Sequence, residues 1–340
     1  MPTRDVDSGL VGLLLTCKTG TLQTTGPRRG QRGDVAKEFV LYLDTTDEND
    51  SWLSQVNLNR CGDPAACTQL SQSKNPDFVK TNKMSHINGR VYGNLEGLEV
   101  SQGETVAFYL FSVNRGITSV QFSGQVLKVN NHIVDSIILF PATFVTAIIT
   151  PPYVGNWLIA TRNVDTFLAG QQAYLRVKEA FPWRGVSRRR RHADHYSPAL
   201  SDPELTGLSA FYERHVHHPI RVPWTRKYYI AVEKYTWDYA PSGQDLFNGG
   251  PLTRPGSLAA PYFTQGTQRI GGRYIKARYV EYTDSTFKVL KSRDDSTEHL
   301  GMLGPVIMAE AGETVEIRLK NMADRTLLLL SSRRALLQGE

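Results

Sequence analysis

Cysteine is scarce in this chain: Cys17, Cys61 and Cys67 are the only three in 340 residues, and no two of them form a CxxC pair. A ribbon or finger needs four thiolate or imidazole ligands at short spacing, so a structural metal cage is excluded. Three is also an odd number, which in an oxidising compartment leaves one disulfide and one remaining thiol. Long apolar runs are missing as well. No stretch of eighteen uninterrupted apolar residues occurs, the best candidates being short segments such as Val11 to Leu15, and no membrane-spanning helix is expected. Met1 is followed by a polar, acidic segment to Gly9 instead of the basic and apolar stretch of an export signal. Nor is there a P-loop, a GxGxxG after a strand, a GxSxG elbow or an HExxH pair, so the familiar phosphate, dinucleotide, serine-hydrolase and zinc-protease chemistries have no foothold.

Helical periodicity is nearly absent too, and short β-rich runs stand in its place. Glu38 to Leu43, Thr105 to Phe111, Ile133 to Phe140, Thr143 to Thr150, Asn156 to Ala160 and Ala173 to Val177 are β-branched or aromatic, with Gly and Pro between them. A second β segment opens at Lys227 and continues to about Leu319. Such spacing predicts an all-β sandwich or small barrel. The tetrad GETV occurs at Gly103 to Val106 and again at Gly312 to Val315, each time after an apolar strand, which suggests two copies of one domain type.

The formal charge of +6 is not spread evenly. Between Pro182 and Lys227, nine Lys or Arg face four Asp or Glu, and Arg188, Arg189, Arg190 and Arg191 are consecutive. That basic stretch reads as a linker, with a short helix opening at Asp202 and Pro203 and carrying Leu205, Leu208, Phe211 and Tyr212 on one face. The flanks are close to neutral, so no nucleic-acid partner is expected. The linker also holds His215, His217 and His218, a spacing able to bind a divalent ion weakly but without carboxylate or thiolate support. Asn49-Asp50-Ser51 is a glycosylation sequon. Trp237-Asp238-Tyr239 reads as core and edge packing, not as a base-stacking platform.

Longer motifs carry a resemblance. KYYIAVEKYTWDYAPSG (227 to 243), RIGGRYIKARYVEYTDSTF (269 to 287) and EHLGMLGPVIMAEAGETVEIRLKNMADR (298 to 325) are similar to the opening of a cupredoxin domain in the hephaestin and ceruloplasmin family of multicopper ferroxidases. DSGLVGLLLTCKTG (7 to 20) resembles the end of that family's first domain. DENDSW (47 to 52), HINGRVYGNLEGL (86 to 98), LFPATF (139 to 144) and AGQQAYLRV (169 to 177) resemble its second. Clotting factors five and eight, with the same architecture, are the next nearest relatives. The resemblance implies tandem cupredoxin-like (plastocyanin-like) Greek-key β-sandwich domains. Residues 1–33 would be the tail of one, 34–181 a complete one and 225–330 the start of another, with 182–224 a basic linker and 331–340 an unmatched tail. The chain is then expected to be a fragment-like segment of a longer parent, whose neighbouring cupredoxin domains are its partners.

A blue-copper centre needs a thiolate, two imidazoles and a weak axial ligand. Aligned through FSGQ and AGQQAY, the family's four ligand positions fall here on Thr118, Thr161, Thr166 and Gln171. Threonine is a poor copper ligand, so no copper or other cofactor is expected on this chain, although copper belongs to the parent family. The paired HxH motifs of the family's trinuclear cluster have no counterpart. A disulfide of the family's second domain would join positions held here by Ser101 and Ala180, both halves being lost together. Cys17 and Cys61 match another family disulfide, which leaves Cys67 free.

The expected role is therefore a non-catalytic, structural or interaction segment. Two alternatives stand beside it: a portion of an active ferroxidase, oxidising Fe(II) in iron and copper homeostasis with its copper sites elsewhere in the parent, and a clotting-cofactor-like binding protein activated by cleavage at Arg188 to Arg191. By resemblance the parent is extracellular or membrane-anchored outside the cell.

Overall fold

The computed structural model describes residues 2–26, 29–113, 116–180 and 224–325. Arg188 to Arg191, the helix expected from Asp202, the three linker histidines and the tail from 331 lie outside the described residues. In chain order the elements are α1 (Pro2–Asp7), β1 (Leu14–Cys17), β2 (Lys37–Asp47), α2 (Ser54–Leu58), α3 (Pro64–Gln72), α4 (Pro76–Thr81), β3 (Lys83–Ile87), β4 (Glu99–Ser101) and β5 (Val106–Ser112). There follow β6 (Thr118–Phe122), β7 (Leu127–Val129), β8 (His132–Val134), β9 (Ser136–Leu139), β10 (Thr143–Ile149), β11 (Gly155–Thr161), α5 (Val164–Leu168) and β12 (Gln172–Lys178). The last group is β13 (Thr225–Asp238), α6 (Ala260–Phe263), β14 (Arg273–Tyr282), β15 (Ile307–Glu310) and β16 (Thr314–Asn321).

From β2 to β12 the chain forms an all-β sandwich. A six-stranded sheet, β3-β2-β5-β10-β7-β8, faces a five-stranded one, β4-β12-β11-β6-β9. Phe39, Leu41, Phe108, Leu110, Val120, Phe122, Ile159 and Leu175 fill the space between them, the alternate residues of each strand pointing inward. β2 and β5 are buried on both faces: VAFYLFS, the whole of β5, has no exposed residue. Their outward residues Val40, Tyr42, Ala107 and Phe111 pack under Val11, Leu13, Leu300 and Leu303 of the flanking segments. A strand covered on both sides reads as a continuous apolar run, not an alternation, and so it does here.

Three helices between residues 54 and 81 depart from the strand-dominated expectation. Each of the last two begins at an Asx-Pro pair. Asp63 caps α3 by accepting from the amides of Ala65 and Ala66, and Asn75 caps α4 by accepting from Asp77 and Phe78. Proline at the first helical position costs no hydrogen bond.

The sequence assigns residues 1–33 and 225–330 to two different domains, yet in the structure they share a sheet edge. β1 pairs in parallel with β15, Cys17 lying opposite Glu310. The complete sandwich contains the same arrangement: β12 pairs in parallel with β4, Lys178 opposite Ser101, two residues before the first GETV as Glu310 is two before the second. Likewise β16 pairs in parallel with β13 as β5 does with β2. The N-terminal segment thus supplies a terminal strand to the second GETV unit.

That unit is locked onto the complete sandwich. The Lys276 ammonium, fully buried, is 2.6 Å from Glu48 Oε1 and donates at 2.9 Å to the Asp7 carbonyl, while the Tyr239 hydroxyl donates to the same Glu48 oxygen at 2.6 Å. Asn57 exchanges two hydrogen bonds with the backbone of Ile275. Asn88, at φ 52°, accepts from the Tyr42 amide and donates to the carbonyls of Val40 and His299. Gly301 passes so close that a Cβ there would stand 2.2 Å from the Asn88 carbonyl oxygen.

Cys61 and Cys67 form the disulfide, and Cys17 is the free thiol. This corrects the Cys17–Cys61 pairing implied by the resemblance. Cys17 is held at the β15 edge, among the charges of Glu38, Arg32, Glu310 and Arg226. Cys61 lies in the turn after α2, its amide donating to the Leu58 carbonyl and that of Gly62 to the Gly266 carbonyl, and the turn into α3 brings Cys67 within 6.5 Å between α-carbons. Ser101 sits opposite Lys178, two residues before Ala180, so the two positions that the resemblance pairs lie close in the sheet.

Peptide mapping of oxidised, unreduced protein should therefore recover a Cys61–Cys67 linked peptide and an alkylated Cys17; a linked Cys17 would contradict the fold. Lys276→Met should destabilise the chain by ~3–5 kcal/mol, since it strands the Glu48 carboxylate in the interior. A denaturation midpoint unchanged by the substitution would show that the pair is not buried.

Two buried histidines give a pH signature. Burial, with Lys276 nearby, holds His86 down at about 3, and burial holds His299 down at about 4. Both are therefore neutral in the folded chain and gain protons first when it unfolds. Stability should be complete above the unfolded value near 6.5 and should fall as pH drops from there toward 4, by up to ~1.4 kcal/mol per pH unit for each. His299 Nε2 accepts from the Val40 amide, a bond a glutamine carbonyl can replace. Urea titrations of His299→Gln between pH 7 and 4 should lose about one proton's worth of that slope; an unchanged slope would contradict the assignment.

Candidate functional site

The four residues aligned with copper ligands come from one strand and one later stretch of the chain, and the fold gathers them. Thr118 opens β6, Thr161 closes β11, Thr166 lies on α5, and Gln171 precedes β12. β6 and β11 are antiparallel neighbours, Thr161 lying opposite Val120, two residues along β6 from Thr118. Asn163 then caps α5, accepting from the amides of Asp165 and Thr166 and folding the helix back over the strand end.

Their side-chain oxygens converge. Thr118 Oγ1 stands 3.4 Å from Thr161 Oγ1 and 3.4 Å from Gln171 Oε1, and Thr166 Oγ1 donates to Thr161 Oγ1 at 3.2 Å. Thr118, Thr161 and Gln171 are buried and Thr166 is half-buried. These contacts are longer than the usual 2.7–2.8 Å between oxygen atoms, so the cluster holds itself together weakly. Gln171 is anchored from behind, its Nε2 donating at 3.1 Å to the carbonyls of both Asp44 and His86. That orientation turns its carbonyl oxygen toward the threonines.

Thr118, Thr166 and Gln171 line a cleft of about 260 Å³, rimmed by Asp7, Asp44, Asp47, Lys83 and Asn163. The rim carboxylates are already engaged. Asp44 accepts from the amides of Thr45 and Val113, Asp7 accepts from the Asp47 amide, and Asp47 is paired with Lys83 at 3.2 Å. Among the described residues no group of three or more His, Cys, Asp or Glu is placed to hold a metal ion. The donor set itself, three hydroxyls and one amide with no thiolate, imidazole or net charge, does not fit copper in either oxidation state. No electron-transfer step can be derived through it.

His86 is the buried imidazole nearest in sequence to this site, and it is not a free ligand. Its Nδ1 accepts from the Gly89 amide at 3.1 Å and its Nε2 is 2.9 Å from Thr46 Oγ1, which makes Nε2 the protonated nitrogen. Asn49 is also committed. Its Nδ2 donates to Asp47 Oδ1 and to the Val79 carbonyl, and Ser51 of the sequon is fully buried against Ser8. A glycan on Nδ2 would break at least one of those bonds, so the folded geometry weighs against the expected modification. Trp237 and Tyr239 are core, as the sequence indicates: Trp237 donates to the Gly89 carbonyl beneath the stacked Arg90 guanidinium, and Tyr239 holds Glu48.

The buried Glu48–Lys276 pair escaped the sequence reading. Its only signal is a lysine set in the YIKARY run of a strand whose neighbours Tyr274 and Ala277 are core. Burial pushes the Glu48 carboxyl above its ordinary range, against the pull of Lys276 and the Tyr239 hydroxyl.

No protein-family profile matches the chain. Among curated sequences, Ferroxidase HEPHL1 of Mus musculus is 37% identical over 331 residues, which are 96% of this chain and 25% of that protein. Ceruloplasmin of Homo sapiens is 35% identical over 321 residues, 94% of this chain and 26% of its own length. Hephaestin of Homo sapiens is 35% identical over 325 residues, 95% and 25% respectively. The chain thus spans about a quarter of the length of these relatives. Over that quarter, with its paired GETV units and its cupredoxin sandwich, the chain belongs to the hephaestin and ceruloplasmin family of multicopper ferroxidases.

Proposed function

We propose that this chain is a copper-free cupredoxin segment that serves a structural or interaction role within a longer ferroxidase-type parent. One observation carries the reading: all four positions that align with copper ligands bear neutral oxygen donors, linked in a chain of contacts of 3.2–3.4 Å from Thr166 through Thr161 and Thr118 to Gln171. The scaffold of a metal site is kept, and its chemistry is replaced. Fe(II) oxidation in iron and copper homeostasis, if the parent performs it, belongs to copper sites in the remaining three quarters of the relatives' length, and this sandwich then acts as a spacer that fixes its neighbours. An extracellular setting, or a membrane-anchored one outside the cell, is supported by the Cys61–Cys67 disulfide, since such bonds persist in oxidising compartments. Among the described residues no helix is long and apolar enough to cross a membrane.

The test compares the chain with the combined variant Thr118→His, Thr161→Cys and Thr166→His, after copper loading, by metal analysis and visible absorption. The unmodified chain should stay colourless, hold no stoichiometric copper and oxidise no Fe(II). The variant should take up copper with a blue or greenish charge-transfer band, because a thiolate and two imidazoles then stand where three hydroxyls converge, with Gln171 available as the axial group. Stoichiometric blue copper in the unmodified chain would overturn the proposal. A folded variant that binds no copper would show that the four positions are not the ancestral site.

A further inference from the structure

A second cleft, of about 360 Å³, opens where the complete sandwich meets the stretch between β13 and α6. It shares no lining residue with the cleft at the threonine cluster. The sandwich supplies Tyr92, Phe167 and Gln172, and the facing stretch supplies Phe247, Leu252 and Arg254. Two hydrogen bonds fix the halves against each other: the Leu246 amide donates to the Tyr92 carbonyl, and Asn94 Nδ2 donates to the Gln244 carbonyl, both at 3.0 Å. The walls are aromatic. Phe167 on α5 meets Phe247 edge to face with ring centroids 5.4 Å apart, and Tyr92 and Leu252 are buried beside them.

Most of the polar side chains around this cleft are engaged. The Tyr92 hydroxyl donates to the Leu168 carbonyl at 3.1 Å, and Ser257 Oγ donates to the Leu252 carbonyl at 3.2 Å. The Asp245 carboxylate accepts from the amides of Phe247 and Asn248 and from Asn248 Nδ2, within its own turn. Two groups stand apart. Gln172 is 2% exposed and donates through Nε2 to the Phe167 carbonyl at 3.0 Å, yet its Oε1 accepts no hydrogen bond. A buried amide oxygen without a donor destabilises the fold, and the O–H of a ligand relieves it. The second group is Arg254, exposed on the lining, whose guanidinium has no partner among the described residues. A guanidinium fork matches a carboxylate in shape as well as in charge.

We propose that this cleft binds a small aromatic carboxylic acid that carries a hydroxyl at the far end of its ring. The hydroxyl donates to Gln172 Oε1 at the buried end, the ring lies against Tyr92, Phe167 and Phe247, and the carboxylate pairs with Arg254 at the exposed end. Concave apolar walls with a few convergent polar groups are what such a ligand needs.

The probe is para-hydroxyphenylpropionate, titrated calorimetrically into the unmodified chain, with phenylpropionate and para-ethylphenol as analogues lacking the hydroxyl and the carboxylate. The probe should bind saturably, one molecule per chain, and each analogue should bind at least about fivefold more weakly. Arg254→Gln, at an exposed position, should lower the affinity for the probe and leave that for para-ethylphenol unchanged. Gln172→Leu should erase the preference for the probe over phenylpropionate, a coupling between ligand and residue that a merely structural role does not produce. Thermal melts confirm that both variants fold; should Gln172→Leu fail to fold, the three ligands on the unmodified chain and Arg254→Gln decide. Absence of saturable binding up to millimolar probe overturns the proposal. Binding that ignores the hydroxyl or the carboxylate, or that survives Arg254→Gln unchanged, overturns it equally.

Discussion

The Lys276 ammonium is buried without solvent contact between the Glu48 carboxylate, the Asp7 carbonyl and the Tyr239 ring, and through them it ties together three stretches of chain that are far apart in sequence. Asp7 belongs to the N-terminal segment, Glu48 to the complete sandwich, and Lys276 and Tyr239 to the second GETV unit. A buried ion pair of this kind adds little net stability over an apolar substitute, because desolvation offsets the attraction, but it permits only one arrangement of its partners. The arrangement it permits places β14 against α2, through Asn57 and Ile275, and brings the Trp237–Tyr239 corner onto Gly89. Around it the packing is apolar and unspecific by comparison: Leu10, Leu53, Val232 and Ala277 on one side, Phe78, Met84, Tyr274 and Met302 on the other. Geometry comes from the polar centre and most of the free energy from the apolar surround.

The strands of the complete sandwich were legible because their determinants are local. Thr143 to Thr150 announces β10 almost residue for residue, Glu38 to Leu43 marks the first half of β2, which runs on to Asp47, and the two GETV tetrads open equivalent strands. One expected strand, Ile133 to Phe140, is broken at Asp135 into β8 and β9, which belong to opposite sheets. Asn163, Asp63 and Asn75 show that the helix starts could have been read from Asx residues ahead of short apolar stretches, with proline following in two of the three. The partnership of β1 with β15 could not, since the register of a parallel pair 293 residues apart, Leu14 opposite Ile307, depends on a surface neither strand carries alone. The disulfide failed for the same reason. Cys17 and Cys61 were matched by position along the chain, whereas the α2–α3 turn decides which sulfur Cys61 meets.

The four positions that the resemblance aligns with copper ligands lie together in the fold and carry no ligand chemistry for copper. Thr118, Thr161, Thr166 and Gln171 converge although 53 residues separate the first from the last, as a ligand set would. Three hydroxyls in contact at 3.2–3.4 Å with an anchored amide form a neutral network that fills the volume without demanding a charge. Such a network needs neither a deprotonated sulfur nor a buried cation. β4 and β12 are held by their parallel ladder and by the pairing of Glu99 with Arg176 and Lys178.

The most direct test is a crystal structure of the unmodified chain grown with excess copper and recorded on both sides of the copper absorption edge. The account predicts that the difference in anomalous scattering shows no peak among Thr118, Thr161, Thr166 and Gln171, and that their oxygens remain in mutual contact. A copper peak within bonding distance of those four residues would contradict it.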